Sequence, residues 1–362
     1  MNTKTNLERL QKRLLETNAE VYKLGVDVHA RDVVVCVQMD GSLALRPQKM
    51  SAAELVELAR GLVAAKREVH AVQECGPCGY GLHRALEAVG AKSHVIVAET
   101  LGDSRRQKTD QLDATALVDK LDRHLRGNTK AFSAIAAPTI EEEERREEGR
   151  LREQLKHSRH QWEARGRSLL LYKGHHVTGA WWKPGAWDKL KPMLTIWLVQ
   201  ELEQMRTILL QLDAQEKQRR EQLEKQAPEV LPKAIGALTW VLLAREVRDW
   251  HRFKNRRQVS SYTGLCPGVH QSGPRRQDGS INRCGNPRIR HLLIELIWRL
   301  VRWQPDYPPV RALVAAVARG AARRKCAVAA ARRLAVDLWR LATGQTTPQK
   351  LKLNVPAAIP PV

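Results

Sequence analysis

Val21-Tyr22-Lys23-Leu24-Gly25-Val26-Asp27-Val28 is the stretch whose reading decides the fold. It is short, mostly apolar and rich in β-branched residues, which suits a buried strand. A tight turn leads from it into Arg31 to Met39 (Arg-Asp-Val-Val-Val-Cys-Val-Gln-Met), a second strand. Asp27 therefore stands among apolar neighbours where the first strand ends, and burying an unpaired carboxylate is costly. Glu68 to Glu74 (Glu-Val-His-Ala-Val-Gln-Glu) is a comparable run that delivers Glu74 to a Gly-Pro turn. A short strand at Ala44 to Lys49 and a helix at Ala52 to Lys66 fall between them, and a helix at Gly79 to Val89 and a strand at Lys92 to Ala98 follow. This order predicts a mixed α/β sheet over residues 21–135.

Lys108-Thr109-Asp110-Gln111-Leu112-Asp113-Ala114 opens the next helix. With Thr109 as its cap, Asp110 and Asp113 are three residues apart and share a face. Acids in a first turn are common for their interaction with the helix dipole alone. Taken with Asp27 and Glu74 they make four oxygen donors, a set suited to Mg²⁺ or Mn²⁺ rather than to zinc. Paired ions of that kind neutralise the attacking and leaving oxygens in phosphoryl transfer. Arg105, Arg106 and Lys108, in the loop before the helix, are placed to steer a phosphodiester toward the acids; a plain surface loop is the simpler reading.

The charge pattern points to a polyanionic partner. The net charge is +22, and its distribution is uneven: residues 1–140 hold 20 basic and 17 acidic side chains, residues 245–340 hold 21 and 6. Of the latter 21, 19 are Arg, the side chain best suited to bidentate phosphate contacts. Polyanion binding is the default for such a surface. The apolar runs are short and interrupted by charge, so a signal peptide or membrane span is not expected, and a bacterial cytoplasmic, nucleoid-associated location is. Of the six cysteines, Cys75-Gly76-Pro77-Cys78 has the spacing of a thioredoxin-like motif, but no second pair completes a zinc site.

Residues 1–20 are expected to be a flexible arm. Residues 136–227 read as two long helices, the second from Met193 to Gln226 with Leu198, Leu202, Met205, Leu209 and Leu212 at alternating four- and three-residue steps. This is a coiled-coil assembly element or an antiparallel hairpin. Trp181, Trp182 and Trp187 lie between the helices among lysines, a composition that fits either stacking on unpaired bases or a packed tip. Residues 228–343 form a basic, mainly helical domain in which Arg323 and Arg324 suit contacts to a duplex backbone. Residues 344–362 are expected to be a disordered tail. The fold class is thus α/β plus all-α.

The Gly25-Val26-Asp27-Val28-His29 run, Glu74 before Gly-Pro-Cys-Gly-Tyr, and Lys108 to Ala114 resemble the Asp-Glu-Asp-Asp (DEDD) signature of the IS110 family of insertion-sequence transposases. Gly264-Leu265-Cys266-Pro267, Ser272-Gly273 and Ile281-Asn282-Arg283-Cys284-Gly285-Asn286 resemble that family's second block, so the likeness spans roughly residues 21 to 342. It implies a RuvC-like, ribonuclease-H-like domain in which Asp27, Glu74, Asp110 and Asp113 hold Mg²⁺ (or Mn²⁺), and a carboxy-terminal transposase domain in which Ser272 is the nucleophile. Arg275, Arg276, Arg283, Arg288 and Arg290 fall beside that serine and would contact nucleic acid. The implied activity is DNA recombination by serine transesterification through a covalent phosphoserine. The implied partners are donor and target DNA, a structured bridge RNA, and further copies of the chain, dimers assembling to a tetramer. This chain has Gln271 and Asn282 where the family commonly has Ser or Thr. On the residues alone, Ser272 reads as a turn residue or a phosphate contact. A metal-dependent nuclease of the Holliday-junction type, with water as nucleophile, and a non-catalytic nucleic-acid scaffold are the competing readings.

Overall fold

The computed structural model describes residues 3–97, 109–229, 231, 233–273, 275–316 and 319–354, and for residues 3–6, 270–272, 275, 276 and 278 the backbone only. The chain divides into two compact units, Met1–Thr139 and Ile140–Val362.

The first unit is built on five strands, β1 (Val21–Val28), β2 (Val33–Met39), β3 (Gln48–Met50), β4 (Glu68–Glu74) and β5 (Lys92–Ile96), in the order β3-β2-β1-β4-β5. β1–β2 and β2–β3 are antiparallel, whereas β1–β4 and β4–β5 are parallel. The sheet is therefore mixed, as the element order predicts. Among the described residues four helices accompany it: α1 (Thr3–Leu15), α2 (Ala52–Ala64), α3 (Gly81–Ala88) and α4 (Asp110–Leu125). Strand β3 is shorter and later than Ala44 to Lys49, because Pro47 has no N–H to give a ladder. Ala98, the expected end of β5, lies outside the described residues.

The alternation along β1 sorts its side chains between two cores. Tyr22, Leu24 and Val26 are buried with Leu55, Leu58 and Leu62 of α2 and Leu10 and Leu14 of α1. Residues 3–20 are thus not a free arm: α1 closes one face of the sheet with its apolar side. Lys23, Gly25 and Asp27 point to the other face, where Val34 and Cys36 of β2 pack on Ala114 and Val118 of α4. Lys23 Nζ lies 2.5 Å from Asp122 Oδ1, and both side chains are largely buried. Burial by itself would raise the Asp122 carboxyl, but the hydrogen bonds and charges of Lys23 and Arg126 outweigh it and hold the group below its ordinary value.

A row of imidazoles lines the far end of this sheet. His70 stacks on His94 with centroids 6.2 Å apart, and His94 meets the edge of His124 at 5.9 Å. Burial lowers the pKa of His70, against the opposing hydrogen bond that its ring gives to Glu68, and lowers that of His94 with added repulsion from His70 and His124. Both rings bind protons more weakly folded than unfolded, so protonation favours the unfolded chain. Thermal stability is expected to be level above about pH 7 and to fall as the pH drops through the ordinary imidazole value of ~6.5. A melting series from pH 7.5 to 5.5 checks this, and His94→Gln should shrink the fall.

The second unit opens with α5 (Ile140–Tyr172), continues through α6 (Pro184–Leu190) and a 3₁₀ turn at Lys191–Met193, and returns along α7 (Ile196–Glu224). The 33 residues of α5 span ~50 Å. α5 and α7 run antiparallel, joined by Leu170, Leu198, Leu202 and Leu209 and by Arg152–Glu216 (3.2 Å) and Arg159–Asp213 (3.6 Å). Trp181, Trp182 and Trp187 are buried in the hairpin tip, which selects the packed-tip reading. Gly166 makes room for them, since a Cβ there would lie 2.1 Å from Trp181 Cζ2. The Trp181 Nε1–H donates to the Glu163 carbonyl at 3.0 Å.

The rest of the unit comprises α8 (Ala237–Val247), α9 (Arg256–Thr263), the hairpin β6 (Pro267–Ser272) and β7 (Arg275–Ile281), α10 (Pro287–Trp303), α11 (Pro308–Ala315) and α12 (Gly320–Ala342). Leu293, Leu296, Ile297 and Leu300 of α10 meet Ala331, Leu334 and Trp339 of α12 in one core. Leu353 is buried against that core, and the Asn354 N–H donates to Gln304 Oε1 at 2.7 Å, so the tail expected from residue 344 is packed as far as Asn354. Residues 355–362 lie outside the described residues. Among the described residues no helix is long and apolar enough to cross a membrane.

Candidate active site

Two of the acids named from the sequence, Asp27 and Asp110, meet where β1 ends and α4 begins. β1 leaves the sheet after Val28, and the His29 N–H donates to the Asp32 carbonyl at 3.0 Å, closing the turn. His29 Nε2 stands 3.2 Å from Asp27 Oδ2 and 3.3 Å from Asp110 Oδ2. One ligand atom from each of Asp27, His29 and Asp110 lies within 4.8 Å of the others. Glu74 and Asp113 are outside that group, each one step from it along its own element. The parallel register of β1 and β4 ends at Val26↔Gln73, so the next step sets Asp27 and Glu74 side by side on one face. Asp113 follows Asp110 by one turn of α4, half-buried.

Two local features set this placement. Thr109 caps α4, its side chain accepting from the Leu112 N–H at 3.4 Å, so the helix begins with both acids at its positive end. Gly25 lets that helix lie directly on β1: a Cβ there would sit 2.3 Å from the Ala114 carbonyl oxygen and 2.5 Å from the Val118 nitrogen. With Lys23 holding Asp122 at the other end of α4, the helix is pinned so that its first turn reaches Asp27. Sequence reading passed over Gly25, although a lone small residue in a strand of large ones was the available signal. His29, four residues on in the same run, carries no such signal.

A shallow depression lined by His29, Asp32, Val34, Lys49 and Asp110 adjoins the cluster. Lys49 pairs with Asp32 at 2.8 Å, and that hydrogen bond raises its pKa. Carboxylate oxygens converging from separate elements, beside an imidazole nitrogen and open to solvent, fit a hard divalent cation.

In the second unit, Ser272 is the last residue of β6 and pairs with Arg275 across the turn, where Gly273 has a φ of +58°. Gln271↔Arg276 and Val269↔Asp278 continue the ladder. The stretch that looks like a Gly-rich loop is thus a two-stranded hairpin, with Ser272, Arg275 and Arg276 at its tip. Its base is fixed by a contact between two glycines. A Cβ on Gly285 would lie 2.3 Å from the Gly264 nitrogen and 2.5 Å from the Tyr262 carbonyl oxygen. Asn286 then caps α10, accepting from the Arg288 N–H at 3.0 Å and donating through Nδ2 to the buried Glu246 at 2.6 Å.

The other basic candidates differ in their surroundings. Arg290 donates to the Thr263 carbonyl at 3.1 Å, and Arg288 Nε to Glu153 at 2.9 Å, so both already serve the fold. Arg283 and Arg324 are exposed, and Arg323 lies over the Trp298 ring at 5.5 Å. Arg105, Arg106 and Lys108 lie outside the described residues. All six cysteines are free thiols, with Cys75 and Cys78 exposed.

Comparison with known proteins places the chain among transposases. Residues 232–313, which hold α8 to α10 and the Ser272 hairpin, match the family described as Transposase IS116/IS110/IS902. A Sinorhizobium fredii protein named "Putative transposase y4rJ" is 32% identical over 285 residues, covering 70% of this chain and 71% of its own length. A second protein of that organism, "Putative transposase y4qE", is 28% identical over 271 residues, 68% of this chain and 61% of its own. The transposase for insertion sequence element IS1111A of Coxiella burnetii is 34% identical over 115 residues, 31% of each chain. The chain belongs to the IS116/IS110/IS902 family of transposases.

Proposed function

We propose that this protein is a DNA recombinase that cuts and rejoins strands through a covalent phosphoserine on Ser272, assisted by a divalent metal. The observation that carries the reading is the convergence of Asp27 and Asp110, with Glu74 and Asp113 each one step away, in a chain of this transposase family. The first unit is taken as RuvC-like. That reading is supported by the β3-β2-β1-β4-β5 order, with one antiparallel and one parallel neighbour on β1 and acids at the ends of β1 and β4. Asp27, Glu74, Asp110 and Asp113 would hold Mg²⁺ or Mn²⁺. When bound, the ion supplies positive charge that offsets the charge on phosphate oxygens and favours the ionised serine.

Ser272 Oγ gives up its proton to a base and bonds to phosphorus, the bond from phosphorus to the departing sugar oxygen breaks, and that oxygen takes up a proton. The Ser–O–P link keeps the phosphodiester energy, so a hydroxyl of a new strand can reverse the step without another energy source. Arg275 and Arg276 at the hairpin tip, together with Arg283, Arg323 and Arg324, would hold the DNA backbone. The acids belong to one unit and Ser272 to the other. The reading has different protomers of a homo-oligomer, dimers assembling to a tetramer, supply these two parts to one phosphodiester. A structured bridge RNA that pairs with donor and target DNA would choose the sites, and the basic excess of residues 245–340 suits such a polyanion.

The test is to purify the full chain with its nucleic acid, sequence the RNA retained, and supply donor and target DNA with Mg²⁺. Recombinant product that requires both the RNA and Mg²⁺ is expected. Product formed equally well after ribonuclease treatment would contradict RNA guidance, and product formed in excess EDTA would contradict metal dependence.

A further inference from the structure

We infer that His29 is a nitrogen ligand of the metal site and shifts its preference from Mg²⁺ toward Mn²⁺, an inference that rests on the metal-dependent reading above. The four acids provide only oxygen donors. The geometry adds a fifth group, because His29 Nε2 is nearly equidistant from Asp27 Oδ2 (3.2 Å) and Asp110 Oδ2 (3.3 Å).

An imidazole nitrogen carries at most one proton, and one proton cannot lie on the line to both carboxylates. A cation shared by all three atoms accounts for the arrangement without that conflict. Neighbouring ligands around an octahedral ion with bonds of ~2.1 Å stand ~3.0 Å apart, close to the two distances from His29 Nε2 to the carboxylate oxygens. The turn that carries the ring is closed, since the His29 backbone N–H donates to the Asp32 carbonyl at 3.0 Å. Its side chain is 45% exposed, so an ion reaches Nε2 from solvent without opening the fold. Mg²⁺ takes oxygen ligands and sheds water reluctantly, whereas imidazole suits first-row transition metals better. A site with one nitrogen among carboxylates therefore discriminates between two ions that an all-oxygen site treats more alike.

The experiment loads the full-length protein with Mn²⁺ alone and records pulsed electron paramagnetic resonance, which detects ¹⁴N coupled to the bound ion. Titrations with Mn²⁺ and Mg²⁺ follow on wild type, His29→Gln and Asp27→Asn. Wild type is expected to show imidazole ¹⁴N coupling that His29→Gln lacks, with Mn²⁺ affinity falling ~10-fold and Mg²⁺ affinity less than ~3-fold in that variant. Mn²⁺ binding that is lost in Asp27→Asn, yet shows no ¹⁴N coupling in wild type and the same Mn²⁺-to-Mg²⁺ ratio in His29→Gln, overturns the assignment of His29 and leaves the metal reading intact. Mn²⁺ bound no better by wild type than by Asp27→Asn overturns the metal reading, and the assignment with it. His29 lies on an exposed turn, so an unchanged melting temperature in His29→Gln verifies that folding is not the cause.

Discussion

Asp27→Asn is expected to lower strand cleavage by at least ~10³-fold while leaving nucleic-acid affinity within about threefold. Asn keeps the shape of the side chain and removes its charge, so β1 and α4 have no reason to move. What is lost is an anionic oxygen at the point where β1, the His29 turn and α4 meet. Nucleic-acid binding draws on the Arg excess of residues 245–340 and does not use this carboxylate. Cleavage of end-labelled DNA and a gel-shift titration on the same preparation separate the two effects. Retained strand exchange in Asp27→Asn would defeat the role given to the carboxylates.

The second large effect is structural. In Gly25→Ala the new methyl meets the Ala114 carbonyl oxygen at 2.3 Å and the Val118 nitrogen at 2.5 Å. Both obstacles are backbone of a regular helix, and the methyl itself is carried by the central strand of the sheet, so no flexible side chain is available to give way. α4 must lift from β1, which withdraws Asp110 from Asp27. A loss of ~3 kcal/mol is expected in urea unfolding, at the upper end of what overpacking produces. Gly41→Ala is the matched control: its Cβ would meet only Arg126 Nη2 at 3.8 Å, and a change within ~0.5 kcal/mol is expected. Equal stability of the two variants would show that Gly25 does not set the seat of α4.

How much of this was legible in the sequence depends on whether the deciding contact was local. β1 and β4 occupy Val21–Val28 and Glu68–Glu74 as read, because an apolar β-branched run bounded by turns needs nothing further to identify it. The start of α4 was equally plain, since Thr109 and the two acids form a helix entry in one short stretch. The hairpin of β6 and β7 was not legible. Gly268, Gly273 and Gly279 break up its alternation, and only cross-strand backbone pairing reveals it. The tryptophans were ambiguous for a similar reason. Their neighbours in sequence are lysines, whereas the slot that buries Trp181 is made by Gly166, fifteen residues earlier on the facing helix. The hydrogen bonds of Arg288 to Glu153 and of Arg290 to the Thr263 carbonyl were equally hidden, because both partners are remote in sequence. His29 stood out only once α4 was seated, because one of its two carboxylate neighbours is Asp110, far along the chain.

In the proposed reaction, carboxylates of the first unit and a serine of the second, supplied by different protomers, act on one DNA phosphodiester. The most direct test is to stop the reaction with denaturant, digest the protein and locate by mass spectrometry any nucleotide left attached to it. The account predicts a nucleotide on the peptide that carries Ser272, absent from Ser272→Ala and from Asp27→Asn. Cleavage that proceeds with free DNA ends and no protein adduct, or an adduct on any other residue, would contradict it.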